Sequence, residues 1–478
     1  MKQFEIVQAP RAKRSAFDLS HERKTTLNMG QLVPTMCTEV LPGDRFKVDF
    51  ESFLRYMPLL SPVMHRCNLY AHAFFVPNRL LMVDGAWENF ITQKSAVTMP
   101  YIAENAFASG TPQRPVAGDL FDHLDYGFRI STSTYYNNAK MSQLPIRAYH
   151  KIWNDYYRDQ NFQTEYDILG LPDAIGTGDS KAIFAAVRNR CWEKDYFTSA
   201  LSSQQRGNSI SLPLGTSAPV AGTPATNLQF QKVGGGTPTA GDTKVSGPTF
   251  SDSASNAINV QSGLQADLSS ATGATISGLR RAFALQRWYE SSMRFGQRYV
   301  EQLLGLFGVT SKDARLQRAE FLAGGKVPVQ IGEVLQTSQT ETTPQGYMAG
   351  KAISAGNLFS FDRTFDEHGY IMVIVSVMPR TSYQTYAARQ NFKLDPFDYA
   401  FPQLAHLSEQ PVYNAEIYNA NSTDVLSRTA WGFQPMYTEY RYVPDSVHGD
   451  FRTTLFFWGM ARDFTALPAL NETFVKAQ

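Results

Sequence analysis

Residues 369–378 read Gly-Tyr-Ile-Met-Val-Ile-Val-Ser-Val-Met and are followed by Pro379. The run is nearly all apolar, partly β-branched and short. With glycine and proline flanks, it favours a strand buried on both faces over a buried helix. Residues 45–50, Arg-Phe-Lys-Val-Asp-Phe, alternate charged and apolar side chains strictly. That period belongs to a strand with one buried and one wet face, and Pro42-Gly43-Asp44 marks a turn ahead of it. A third run, CNLYAHAFFV at 67–76, is aromatic and stops at Pro77. Residues 435–443 (PMYTEYRYV) and 451–461 (FRTTLFFWGMA) read as two late strands, joined through a Pro-Asp-Ser turn and His448-Gly449-Asp450.

Two helices are expected between the strands. In residues 143–160, Pro145 suits a first helical turn, and Ile146, Tyr149, Trp153 and Tyr156 form one apolar stripe. Residues 278–307 read as a longer helix with Trp288, Phe295, Tyr299 and Leu303 on one face. Arg280, Arg287 and Arg294, spaced seven apart, form a basic stripe read as solvated, helped by Glu290 four residues before Arg294. Strands precede and follow these helices without regular βαβ alternation, so the fold is expected to be mainly β with helical insertions.

Residues 200–277 stand apart. They are rich in Ser, Thr, Gly, Ala and Pro and lack Trp, Tyr, His, Met and Cys. Such a stretch cannot bury a sizeable core of its own and belongs at the surface. The expected organisation is an extended arm at 1–35, strands with a helical insertion at 36–199, the surface insertion at 200–277, and a helix with the remaining strands at 278–478.

The chain has 478 residues, a net charge of +1, 18% charged and 13% aromatic residues, including 32 Phe and 23 Tyr. A dedicated nucleic-acid binder would carry a basic excess, so any such contact is local. Arg11, Lys13 and Arg14 form the one tight basic cluster of the arm. Low charge with many aromatics suits a surface covered by partners, and equally a β-rich core. Cys37, Cys67 and Cys191 are too sparse for a disulfide framework or a zinc site, so free thiols made in a reducing cytoplasm are expected. The N-terminus lacks a signal-peptide core, and no apolar run is long enough to cross a membrane.

The sequence offers little chemistry. No nucleophile elbow, zincin helix or paired CxxC occurs. The nearest phosphate-loop match, Gly236 to Thr243, carries Asp242 where a lysine is needed. Asp362, Asp366, Glu367 and His368 cluster near a turn, but their spacing fits no metal loop, so a solvated turn is the reading. No catalytic residue, cofactor or metal is expected.

Several long blocks carry a family resemblance. They are FDLSHERKTTLNMGQLVPTMCTEVLPGDRFKVDFESFLRYMPLLSPVMHRCNLYAHAFFVPNRLL followed by WENFIT, LQRWYESSMRFGQRYVEQLLGLFGV followed by EVLQTS, and TEYRYVPDSVHGDFR with FWGMARDF. In these the chain resembles the major capsid proteins of the Microviridae, in particular the gokushovirus branch. The resemblance implies an eight-stranded antiparallel viral jelly roll with long loop insertions containing helices. It implies a homo-oligomer, pentamers closing a T=1 icosahedral shell of sixty copies around a circular single-stranded DNA genome. A small basic internal DNA-binding protein and a host cell-surface receptor are the further partners, and the virion, assembled in the host cytoplasm, is the location. In that family a large insertion forms a protrusion at the three-fold axes. Residues 200–277 are the matching segment, with Leu228, Phe230, Val233 and Phe250 supplying a small shared core. Two other readings fit less well. A cupin-like enzyme lacks its ligand cluster here, and a receptor-binding protein or adhesin would not carry these blocks from end to end.

Overall fold

The computed structural model describes residues 15–103, 116–127, 140–175, 185–206, 276–296, 298–310, 312–338, 345–405, 409–418 and 428–477, with the backbone of six short strands between 220 and 266. Two compact units emerge. One joins residues 1–204 to 295–478, and the other is 205–294.

The first unit is built on a six-stranded antiparallel sheet. Its strands are β1 (Val33–Val40), β2 (Arg45–Arg55), β3 (Cys67–Pro77), β4 (Glu320–Leu335), β5 (Met348–Thr364) and β6 (Gly369–Pro379), in the order β1-β6-β3-β4-β5-β2. β6 is the apolar run at 369–379. It pairs with β3 along its whole length, from Gly369 opposite Pro77 to Pro379 opposite Cys67. Both faces are covered, which explains its unbroken apolar sequence. Val373, Val375 and Val377 pack on one side with Leu69, Ala71 and Ala73 of β3. Met372 and Ile374 pack on the other.

The sheet is curled. β4 pairs with β3 through Val329 and then with β5 from Gln330. β5 in turn passes from β4 to β2 at Ile353. Bulges at Phe321/Ala323 and Asn357/Phe359 add local twist. The curl brings Leu358 and Phe359 of β5, with Phe50 and Leu54 of β2, over the β3–β6 face and closes an apolar interior. Phe50 stacks on Phe359 at 5.2 Å. β2 keeps the strict alternation of its sequence, charged residues outward and Phe46, Val48 and Phe50 partly covered. The close approach needs glycine at Gly325, where a Cβ would stand 1.8 Å from the Leu358 carbonyl oxygen.

The outer face of the sheet carries α1 (Leu144–Ile152). Ile146, Tyr149 and Trp153 join the core there, and Tyr156 packs against it, so the expected stripe is borne out. After Ile152 the helix widens into a π-helical turn, Trp153–Tyr157. Arg147 on α1 is fully buried and holds the backbone carbonyls of Leu81 (3.1 Å) and Leu171 (3.3 Å).

Two expectations need correction. The helix expected over 278–307 is two helices, α2 (Ile276–Arg294) and α3 (Tyr299–Phe307). Gly296 adopts a left-handed backbone (φ +94°) that ends the first, and Glu301 accepts from the Arg298 backbone N–H (3.1 Å) to start the second. Trp288 and Leu303 therefore do not share a face. The late strands at 435–443 and 451–461 are absent as well. A strand does run through Ala430–Pro435, but Tyr437 turns left-handed, and single helical turns follow at Thr438–Tyr440, Gly449–Arg452 and Phe456–Trp458. Both stretches are aromatic, yet among the described residues no strand pairs with them along their length.

The second unit holds three antiparallel strand pairs: Val220–Gly222 with Leu264–Ala266, Gln229–Lys232 with Ile258–Gln261, and Thr243–Ser246 with Thr249–Asp252. The pairs are nested: three strands run outward along the chain and their partners follow in reverse order.

Candidate assembly surface

The site of interest is a pair of exposed apolar surfaces, both on irregular segments of the first unit. The 57–64 loop lies against the turn at 456–458. The Met64 N–H donates to the Trp458 carbonyl (2.7 Å), and the Ser61 hydroxyl donates to the Phe457 carbonyl (3.3 Å). Met57, Leu60, Met64, Phe456 and Phe457 are all exposed there, Leu60 at 87%.

The second surface lies on residues 393–401 and 437–443. The Lys393 ammonium donates to the Tyr440 hydroxyl (2.8 Å) and pairs with Glu439 (3.1 Å). The Phe401 N–H donates to the Tyr437 hydroxyl (3.2 Å). Leu394 and Phe397 are exposed at 78% and 75%, with Tyr399, Tyr440 and Val443 beside them. Burying one such side chain fully is worth about 1.5–3 kcal/mol, and a contiguous group of them marks an interaction surface.

This second surface is anchored from below. Arg389 begins the turn that leads into it and pairs with the fully buried Glu416 (2.7 Å), which also accepts from the Tyr196 hydroxyl (2.8 Å) and the Tyr413 N–H (2.9 Å). Burial raises the Glu416 pKa, and Arg389 opposes that rise. Buried, multiply bonded pairs of this kind fix one geometry. The exposed aromatics therefore stand on a rigid base.

The residues singled out in the sequence divide. Arg11, Lys13 and Arg14 lie outside the described residues, as do Leu228 and Val233. Phe230 sits on a strand directly opposite Val260, and Phe250 opposite Val245. Arg280, Arg287 and Arg294 are exposed on α2. The acidic turn is neutralised. Asp362 accepts two hydrogen bonds from Arg45 (2.7 and 2.6 Å), which lower its pKa, and Glu367 pairs with Arg79 (2.7 Å). Among the described residues no cluster of His, Cys, Asp and Glu could hold a metal. Cys37, Cys67 and Cys191 are free thiols, and burial pushes Cys37 up to about 12. The apolar surface at 393–401 was missed. Its signal is the spacing of Leu394, Phe397, Tyr399 and Phe401 around Pro396 and Pro402, which breaks strand and helix patterns alike.

A family model described as capsid protein (F protein) matches residues 5–478. The chain belongs to the capsid protein (F protein) family. It is 34% identical to the capsid protein VP1 of Bdellovibrio phage phiMH2K, across 97% of this chain and 88% of that protein. It is 32% identical to the capsid protein VP1 of Chlamydia phage 1 (99% and 91%) and to that of Spiroplasma virus 4 (99% and 89%). The resemblance to gokushovirus capsid proteins of the Microviridae thus holds over the whole chain. This capsid protein is structural rather than enzymatic, its place is the virion, and it assembles with copies of itself. No helix among the described residues is long and apolar enough to cross a membrane.

Proposed function

We propose that this capsid protein closes a T=1 icosahedral shell of sixty copies, arranged through pentamers, around a circular single-stranded DNA genome. The observation that carries the reading is the pairing of a whole-chain capsid match with two exposed apolar surfaces, one of them anchored on a buried ion pair. Identical subunits close a shell through complementary patches around each axis. The curled sheet with its single apolar interior supports an eight-stranded jelly roll, to which β1–β6 would contribute six strands. Assembly takes place in the host cytoplasm.

In this reading Arg11, Lys13 and Arg14 neutralise phosphates inside the shell, alongside a small basic internal protein. The insertion, carrying Leu228, Phe230, Val233 and Phe250, stands outside as a three-fold protrusion and meets the host receptor. Expression of the full chain followed by negative-stain microscopy and nuclease-protected DNA recovery tests it. Uniform isometric particles holding single-stranded DNA are expected. Soluble monomers at assembly concentrations would refute the shell. Replacing all three arm residues with Ala should leave shells intact and lower their DNA content.

A further inference from the structure

A cavity of about 380 Å³ lies where α1 unwinds. Its walls come from the π-helical turn, β3, the start of β4, residues 190–194 and the N-terminus of α3, all in the first unit. The volume falls in the usual range for small-molecule sites. π-helical turns recur at functional sites, and this one places Tyr156 and Tyr157 side by side on the cavity wall.

The wall is aromatic. Phe74 lies 4.7 Å from Tyr156 and 5.7 Å from Phe321, ring to ring. His72 lies 5.9 Å from Tyr157 and shares a hydrogen bond with its hydroxyl (2.7 Å). Trp192 completes the lining.

The rim is cationic. Arg158, Arg190, Lys194 and Arg298 line the cavity against Asp159 and Glu193. Both acids are engaged, Asp159 by Lys194 and Glu193 by the Tyr70 hydroxyl. Arg190 stacks on Tyr70 at 4.3 Å. The Nε–H groups of Arg158 and Arg298 are buried and have no acceptor. A buried donor without an acceptor is costly. Arg298 also faces like charge from Arg318 and Arg158, which adds to burial in lowering its pKa. Arg158 pairs with Glu165 (3.6 Å) and Arg298 with Glu301 (3.5 Å), yet both pairs leave the Nε–H of the arginine without an acceptor.

We propose that this cavity receives one nucleotide of single-stranded DNA, its base against the rings and its phosphate on Arg158 and Arg298. This rests on the reading that the shell encloses such a genome. Each half follows from chemistry: arginine forks match phosphate oxygens, and any base can stack on an aromatic face without sequence preference. A duplex would not fit this use, because its bases are already stacked.

The test titrates purified full-length protein with an oligothymidylate of roughly ten nucleotides, read by anisotropy at several salt concentrations. Arg298→Gln and Arg158→Gln should each weaken binding about tenfold and reduce the salt slope by about one. Trp192→Leu should weaken binding about tenfold with the salt slope unchanged. Arg298→Lys should recover part of the loss, which separates charge from misfolding. Inorganic polyphosphate, which has no bases, should compete poorly. Wild-type affinity in the arginine and tryptophan variants, or equal competition by polyphosphate, would overturn the cavity assignment. If the variants form normal shells and bind no oligonucleotide, the assignment gains. A wild-type chain that binds the oligonucleotide but never forms shells would sink the shell reading and leave the cavity standing.

Discussion

The curled sheet and the 205–294 unit both use antiparallel pairing, and they hold it in opposite ways. β6 and β3 pair without interruption over eleven positions and bury side chains on both faces. The strands of the second unit pair three or four residues at a time. Between its pairs the outgoing segments (223–228 and 233–242) are longer than the returning ones (262–263 and 253–257). Its sequence there is poor in large apolar residues. A short two-stranded hairpin is marginal alone. The sheet therefore carries its own stability, whereas the nested pairs gain from contact with something beyond themselves. On the proposed shell reading, symmetry mates would supply that contact.

The sharpest way to break this contrast is Gly325→Val. The new side chain would drive β4 away from the β5 backbone at Leu358, where no flexible group can yield. A loss of at least about 3 kcal/mol is expected, with insoluble protein and no particles. Gly332→Ala on the same strand is the control, since its Cβ meets only the Lys351 side chain at 3.7 Å. Equal urea midpoints for the two variants would remove the argument for a tightly closed curl.

Next in size is assembly without folding. Leu60→Asp or Phe397→Asp leaves the core untouched, because both side chains are exposed. Each charge, buried between copies, should suppress particle formation about a hundredfold. The urea midpoint of the unassembled protein should stay within about 0.5 kcal/mol of wild type. Normal particle yield from both variants would remove these surfaces from the interface. Replacing 207–275 with a brief Gly-Ser linker acts on the other side of the comparison. Particles should form with an unchanged sheet, while adsorption to host cells should fall about tenfold or more through lost multivalent contact.

The same contrast explains what was legible. β2 and the α1 stripe could be read because one-sided burial imposes a period, and β3 and β6 because burial on both faces leaves a short apolar run with turn residues at its end. The stretches at 435–443 and 451–461 misled because they are short and rich in aromatics, yet Tyr440, Val443, Phe456 and Phe457 face solvent. In a subunit built for assembly, exposed aromatics follow the partner's surface rather than the chain's own sheet. The break at Gly296 was hidden by strong helix formers on both sides. Arg147 was unreadable for another reason: a buried arginine answers to carbonyls of Leu81 and Leu171, which are brought to it by the fold. The cavity shares that cause. Its rings and cations come from five separate stretches, and no local pattern joins them.

The smallest effect concerns acid, and it separates the units cleanly. The 205–294 stretch contains no histidine. In the sheet unit His72 is held neutral, first by burial and then by the positive charge of Arg190, and its pKa falls from 6.5 to about 4. His65 and His123 shift the same way, chiefly through burial. The unfolded chain takes up a proton on His72 near pH 6.5, and the folded one resists until about 4. Stability from this group is therefore fully present above 6.5 and drains away as pH falls toward 4. The expected loss is on the order of 2 kcal/mol. Urea titrations of wild type and His72→Gln across this range isolate it, because the carboxylates titrate in both. The variant starts lower, having lost the Tyr157 hydrogen bond, but its midpoint should fall less steeply with acid. Parallel slopes would mean that His72 is protonated in the fold. The cavity wall would then carry a charge where the stacking argument needs a neutral ring.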